Sequence, residues 1–353
     1  MADPRGAWPF LAPRRPGAHA AVAAMTGVSA TWAVVLAAGD GTRLAALTTD
    51  ASGRSVPKQF CSLNGGSALI QETLQRARTI AAPEHVCAIV AQQHAPYWRR
   101  LLTSLPQRNV IVQPRNRGTA NGVLLSVLAI LQRDPLARIV FLPADHFVRD
   151  ENALARALRD LAVSLNHNPE GLTLIGIEPE EADPELGYIM PGRMLHDGSR
   201  LVARFIEKPA LRAAQELLRS RALWNSFIFG AQGATLLGLL RTQLGASVED
   251  MATALARDAH SAGGPALAEH YEQLAAADFS RDVTQRAPHL LRVIRAPACG
   301  WSDLGTPRRV AEILRRITGP RARRTAAASG VTFLTNAGLV DLADQQARLA
   351  LAG

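Results

Sequence analysis

From Trp32 onward, short apolar runs alternate with stretches whose apolar residues recur every three or four positions. Trp32–Ala38 (WAVVLAA), Val86–Ala91, Val110–Val112, Arg138–Leu142 (RIVFL) and Leu172–Ile177 read as buried strands. A strand covered on both faces has no polar side with which to alternate. Between them, Ala68–Ile80, Pro96–Leu105, Thr119–Gln132 and Asn152–Leu165 carry a helical period, with Thr119 placed to cap the start of its helix. Strand and helix alternating in this rhythm predict a doubly wound α/β architecture with a mostly parallel sheet.

The second half is more mixed. Gly187–Met190, Leu201–Glu207, Trp224–Gly230 and Leu290–Ala296 read as strands, and Leu211–Ser220 and Pro307–Ile317 as helices. From about Ala231 to Phe279 the chain reads as helical, a helical C-terminal extension to the sheet. The expected organisation is a leader over 1–30, a single domain over 31–317 with parts at 31–180 and 181–317, and a basic, Ala-rich tail over 318–353. No internal repeat is visible.

Ligands of doubly wound sheets bind beyond the carboxyl ends of the strands. Three distinctive loops fall at such ends: Gly39–Arg43, Gln113–Gly118 and Pro143–His146. Together they favour a single nucleotide-sized cleft. The first, Leu36-Ala37-Ala38-Gly39-Asp40-Gly41-Thr42-Arg43-Leu44, has glycines that let backbone N–H groups approach phosphate oxygens. It is not a Walker A loop, because GxxxxGK[ST] is absent. It lacks the third glycine of the dinucleotide fingerprint, which argues against an NAD-dependent dehydrogenase.

Composition sharpens this picture. The chain has 353 residues, 48% hydrophobic and 20% charged, as expected for a globular protein with a substantial core. Of 39 basic residues, Lys58 and Lys208 are the only lysines, and both lie in phosphate-handling phrases, P-K-Q-F and F-I-E-K-P. An ammonium is a compact point charge, whereas a guanidinium is a broad planar fork. The net charge of +9 raises the question of nucleic acid. Its late cluster, Arg308, Arg309, Arg315, Arg316, Arg321, Arg323 and Arg324, reads instead as a solvated helix face running into a basic tail. Aromatic residues make up only 5%, too few for a base-stacking platform, so no nucleic-acid partner is expected. Cys61, Cys87 and Cys299 show no metal or redox spacing and are expected as buried, reduced thiols in a cytoplasmic protein. No apolar run is long enough for a membrane span. Arg14-Arg15 before Ala20–Met25 mimics a twin-arginine export signal, but the following apolar stretch is short; a disordered leader, or translation from Met25, is the expectation.

Phrase by phrase, the chain resembles the sugar-1-phosphate nucleotidyltransferase family, most of all its mannose-1-phosphate guanylyltransferase branch. The phrases are LAAGDGTRL, PKQF, QPRNRGTA, FLPADH, IGIEPEEADPELGYI, FIEKP, WNSFIF and WSDLG, in order from Trp32 to about Leu304. The resemblance implies a Rossmann-like nucleotidyltransferase fold, with 31–317 as the catalytic domain, 31–180 its nucleotide-binding part and 181–317 its sugar-phosphate-binding part. It implies attack of a sugar-phosphate oxygen on the α-phosphorus of a nucleoside triphosphate. It implies catalysis by Arg43, Lys58 and Asp145. Arg43 would hold the β- and γ-phosphates, Lys58 would reach the α-phosphate region, and Asp145 with Asp303 would hold Mg²⁺. Ala38, Gly39, Gly41, Thr42, Arg43, Gln113, Gly118 and Thr119 would surround the nucleotide, with GTP favoured. Gly187, Tyr188, Glu207, Lys208 and Asn225 would bind the sugar phosphate, most simply mannose 1-phosphate. His146 has no second His or Cys at ligand spacing and is not expected to bind zinc. The chain departs from the family pattern at Ala38, Ala45-Ala46 and Asn121-Gly122.

The expected product is GDP-mannose; the same chemistry on another triphosphate or sugar 1-phosphate, or a non-catalytic sugar-nucleotide sensor, are the alternatives. The helical segment after Ala231 is the candidate surface for a homodimer.

Overall fold

The computed structural model describes residues 30–49, 53–63, 66–258 and 264–317, with the backbone of two further strands at 332–335 and 338–341. The leader, Met25, the arginines beyond 317 and most of the tail lie outside the described residues.

Nine strands form one mixed sheet. β1 (Thr31–Ala37), β3 (Val86–Ala91), β4 (Val110–Gln113) and β5 (Arg138–Pro143) run parallel in the order β4-β3-β1-β5. Beyond β5 lie the antiparallel β9 (Leu223–Gln232), then β6 (Leu172–Ile177), β10 (Leu291–Arg295), β8 (Arg200–Ile206) and β7 (Tyr188–Met194). The chain reverses its winding between β1 and β5. The crevice that this reversal opens lies at their carboxyl ends, and β9, running the other way, brings its amino-terminal end to the same edge.

Both faces are covered, which explains the unbroken apolar runs: every residue of β3 and of β6 is buried. One face packs on α1 (Leu69–Ala77), α2 (Ala95–Leu101), α4 (Glu151–Ser164), α5 (Leu211–Arg219) and a helix over 307–317. The other packs on α3 (Thr119–Leu131), α6 (Gly233–Leu244), α7 (Ser247–Arg257) and α8 (Pro265–Gln273). β1 shows the division within one strand, with Val35 on the first face and Trp32 and Val34 on the second. α3 is apolar nearly all round because it lies between the sheet and α6.

Two sequence expectations need correction. Ala231–Phe279 is not uniformly helical: after α8 the chain turns and forms one π-helical stretch, Phe279–Thr284. Thr119 does not cap α3. Gly118, at φ +86°, is the N-cap, and Thr119 is the first helical residue. Its hydroxyl accepts a hydrogen bond from the Phe279 N–H at 2.8 Å, tying α3 to the π-helix. A third feature had no sequence signal. Strand β11 (Thr332–Thr335) pairs with β12 (Gly338–Asp341) and with the two-residue β2 (Cys61–Ser62), just after P-K-Q-F.

Gly118 is where glycine is required. A Cβ there would lie 2.2 Å from the Ala277 carbonyl oxygen, which accepts from the Ala120 N–H at 3.0 Å. Gly118→Ala is therefore expected to cost about 2–4 kcal/mol, combining left-handed strain with a backbone clash. Gly39, with nothing within 4 Å of an added Cβ, serves as control, and Gly39→Ala should fall within about 1 kcal/mol of wild type. Urea unfolding of both variants measures the difference; equal midpoints would rule out the clash.

Candidate active site

A cleft of about 400 Å³ opens along the carboxyl ends of β1 and β5. Its lining includes Ala38, Gly39, Gly41, Arg43, Gln113, Gly118, Thr119, Asp145, Gly187, Glu207, Lys208, Asn225 and Asp303. Of the expected site residues, Thr42, Lys58 and Tyr188 do not line it.

The glycine turn is held open from below. The Gln59 side chain donates to the Ala37 carbonyl at 3.1 Å and to the Gly39 carbonyl at 2.7 Å. Gln59 was not singled out from sequence, although it sits inside P-K-Q-F. Gly41 takes φ +64°, and a short 3₁₀ turn over Thr42–Leu47 then carries the exposed Thr42 and Arg43. The Asp40 carboxylate accepts from Gln93 at 3.0 Å and Asn116 at 2.8 Å, which ties this turn to the Gln113–Gly118 loop. Arg43 pairs with Glu185 at 3.1 Å, both about half exposed, an ion pair weak enough to be exchanged for a ligand.

Gln113 is buried and accepts from the Tyr271 hydroxyl at 3.3 Å, with its amide 3.5 Å from where a Cβ on Gly122 would stand. Asn121 is spent on structure, donating to the carbonyls of Arg117 and Ala275 at 2.7 and 2.9 Å.

The two aspartates converge because two loops are joined by their backbones. Phe147 and Ser302 exchange both N–H to carbonyl bonds at 2.9 Å, which sets Asp145 and His146 beside Trp301 and Asp303. The Trp301 indole donates to His146 Nδ1 at 3.2 Å. Burial pushes the His146 ring down to about 4, so it is neutral at physiological pH, with Nε2 3.7 Å from Asp145.

Lys58 differs most from expectation. Its ammonium is buried and donates to the Asp303 carbonyl at 2.6 Å and the Leu304 carbonyl at 3.3 Å, and pairs with Asp145 Oδ2 at 3.1 Å. All three donors are taken within the protein. Lys58 therefore sets the two aspartate loops rather than extending into the cleft. Burial pushes the Asp145 carboxyl up, but the charge and hydrogen bond of Lys58 outweigh it, leaving Asp145 below the usual carboxylate range. At Asp303 burial prevails and the carboxyl lies above its usual range.

At the other end the Glu207 carboxyl is mostly enclosed, and its Oε2 has no hydrogen-bond partner among the described residues. Burial, reinforced by the charge of Asp278, raises it to about 7. A Cβ on Gly187 would come within 2.5 Å of that oxygen, so only glycine leaves it room. Lys208 is exposed at φ +45° and Phe227 stands at φ +56°, its N–H bonded to Asn225 Oδ1 at 3.0 Å. Non-glycine residues in the left-handed region carry strain, and Lys208, Phe227 and Leu304 place it around this cleft. Tyr188 corrects the sequence reading: it is fully buried, its hydroxyl accepting the Asp183 N–H at 2.8 Å and donating to the Asp183 carbonyl at 3.1 Å. The tyrosine holds the turn; Glu185, Leu186 and Gly187, not its ring, form the wall.

Of the late arginines, Arg308, Arg315 and Arg316 are exposed on one helix, as a solvated face requires, whereas Arg309 is buried. Arg308 pairs with Glu181 and Glu312, and Arg316 with Glu180. The three cysteines are buried and free, with burial raising each thiol. No helix among the described residues is long and apolar enough to cross a membrane.

Similarity to known proteins maps onto this geometry. The chain is 31% identical over 215 residues to mannose-1-phosphate guanylyltransferase RfbM of Salmonella typhimurium, covering 59% of this chain and 43% of RfbM. It is 28% identical over 283 residues to alginate biosynthesis protein AlgA of Pseudomonas putida, covering 77% and 56%. It thus spans about half the length of the curated relatives it matches. Among solved structures, that of mannose-1-phosphate geranyltransferase from Thermus thermophilus superposes with a TM-score of 0.67 at 31% identity, covering 80% of this chain and 79% of that one. The nucleotidyl transferase family model matches residues 32–319, which includes every residue lining the cleft, and the chain belongs to that family.

Proposed function

We propose that the protein transfers a nucleoside monophosphate from a nucleoside triphosphate to a sugar 1-phosphate, releasing pyrophosphate, with GTP and mannose 1-phosphate as the pair and GDP-mannose as the product. One observation carries the reading: a single cleft has a glycine turn with Arg43 at one end and, at the other, the mostly enclosed Glu207 carboxyl, its Oε2 without a partner among the described residues, beside Lys208. β5, which delivers Asp145, stands between β1 and β9 in the sheet. The choice of guanine and mannose is supported by the names of the relatives, RfbM above all.

The reaction forms a bond from a sugar-phosphate oxygen to the α-phosphorus and breaks the bond from that phosphorus to the pyrophosphate. No protein nucleophile is required, so alignment and charge neutralisation do the catalytic work. Arg43 exchanges Glu185 for the β- and γ-phosphates and stabilises the departing pyrophosphate. Backbone N–H groups of the Gly39–Gly41 turn meet the remaining phosphate oxygens. Glu207 and Asn225 sort the sugar hydroxyls, and the exposed ammonium of Lys208 takes the sugar phosphate.

Asp145 and Asp303 fit Mg²⁺ by donor chemistry. They are two hard carboxylates on one cleft, and such ions bind through one or two carboxylates with substrate phosphates completing the shell. Bound there, Mg²⁺ would neutralise charge building on the phosphates. Lys58 contributes by keeping Asp145 ionised and by fixing the Asp303 loop.

Pyrophosphate release with Mg²⁺, measured for four nucleoside triphosphates against a panel of sugar 1-phosphates, tests the proposal. Release with GTP and mannose 1-phosphate alone is the expected result. Another productive pair would replace the substrates, and silence from protein that still binds a sugar nucleotide would replace catalysis by sensing. Asp145→Asn should lower kcat about 100-fold or more with the fold retained by circular dichroism; near-normal turnover would remove it as a metal ligand. Glu207 supplies a pH signature. Its folded pKa of about 7 lies above the ordinary glutamate value, so its protonated form favours the native state at low pH. That contribution fades as pH rises through about 7. The Tm of wild type should therefore fall relative to Glu207→Gln between about pH 5 and pH 8, and a constant difference would mean that this carboxyl is not the buried acid described.

A further inference from the structure

Arg309 sits at the start of the helix over 307–317, outside the cleft lining and buried to 7% exposure. Its N–H bonds to the Thr306 hydroxyl at 3.3 Å, and its guanidinium lies 5.7 Å from the centre of the Trp224 ring. It forms two ion pairs at once. Nη1 meets Asp303 Oδ1 and Nη2 meets Asp183 Oδ2, both aspartates also 7% exposed. Buried charges of this kind are costly to desolvate, and hydrophobic replacements of similar shape are often as stable, so stability alone is a poor reason for them.

Each aspartate leads to a different part of the cleft. Asp183 Oδ1 accepts the Glu185 N–H at 2.7 Å and so shapes the turn that presents Glu185, Leu186 and Gly187 to the sugar end. Asp303 carries the carboxylate of the metal end. It lines the main cleft and also a second cavity of about 250 Å³ on its other side, bounded by Glu180, Trp224, Trp301 and Arg309. The Asp303 carboxyl is held from two directions: the Arg309 guanidinium takes Oδ1, and the Gly305 backbone lies so close to Oδ2 that a Cβ there would come within 2.3 Å of it. A planar fork can engage two carboxylates in fixed directions, which a single ammonium cannot.

We infer that Arg309 is a positioning residue whose buried guanidinium couples the Asp183–Gly187 turn at the sugar end to the Asp303 carboxylate at the metal end. This inference rests on the proposed reading of the cleft. It also gives the arginine-rich helix a task inside the protein.

The test uses the full chain carrying Asp183→Asn, Arg309→Lys or both. Mn²⁺ binding is followed by electron paramagnetic resonance in the presence of GTP without turnover, alongside KM and kcat for the sugar 1-phosphate. Asp183→Asn does not touch the cleft, yet it should shift Mn²⁺ half-saturation at least about threefold and raise KM for the sugar phosphate by a similar factor, the range found for contacting residues. Arg309→Lys should reproduce both shifts, and the double variant should be no worse than either single one. Native circular dichroism and Tm exclude simple unfolding; should Arg309→Lys fail to fold, the Mn²⁺ shift of Asp183→Asn decides alone. A wild-type Mn²⁺ titration for Asp183→Asn, or effects that multiply in the double variant, would overturn the coupling. Wild-type protein that binds Mn²⁺ and turns over separates that failure from failure of the functional reading, whereas wild type that does neither overturns both.

Discussion

The active cleft depends on one buried ammonium. Lys58 Nζ joins the Asp145 carboxylate to the carbonyls of Asp303 and Leu304, two loops far apart in sequence. A buried cation without partners would lose its proton or rearrange its surroundings. Here each of its three donors has an acceptor, and the acceptors belong to the segments that must meet. Leu304 is held at φ +50° in the process, strain that the surrounding bonds sustain. The neighbouring Gln59 takes the glycine turn by its carbonyls, so the short P-K-Q-F stretch organises three loops at once.

Sheet topology explains why so few residues suffice. Reversal of winding between β1 and β5 leaves their carboxyl ends without a covering crossover, and the antiparallel β9 brings Asn225 to the same edge. In the proposed reading, the residues for phosphate, metal and sugar are thus delivered by strands that are neighbours in one sheet. Rigid strands set the positions, while Asp40 and Asn116 stop the intervening loops from drifting apart. The unpaired Glu207 oxygen is the exception to a well-bonded site, and an exception of that kind marks where a ligand's donors are awaited.

Local pattern revealed the strands, because runs such as WAVVLAA and RIVFL are buried on both faces, and it revealed the loops at their ends. It failed where the deciding contact is distant in sequence. Thr119 has the side chain of a cap, but Ala277 crowds the chain so closely that Gly118 must take that position. Tyr188 reads as a sugar contact until its hydroxyl is seen on the Asp183 backbone. Lys58 stands out by its rarity, yet its role depends on carbonyls some 245 residues away. The late arginines read as a solvated face, which holds for Arg308, Arg315 and Arg316 but not for the buried Arg309, whose partner Asp183 lies in the acidic run after β6. The pairing of β11 with Cys61–Ser62 is another long-range event that no short window contains.

The two buried cations also show why each side chain was used where it is. Lys58 faces one carboxylate oxygen and two carbonyls, a converging set that a compact ammonium matches. Arg309 faces two separate carboxylates, one on each side, which only a fork can hold together. Two cations are thus set against Asp145, Asp183 and Asp303, and without them three carboxylates on converging loops would repel one another at low dielectric.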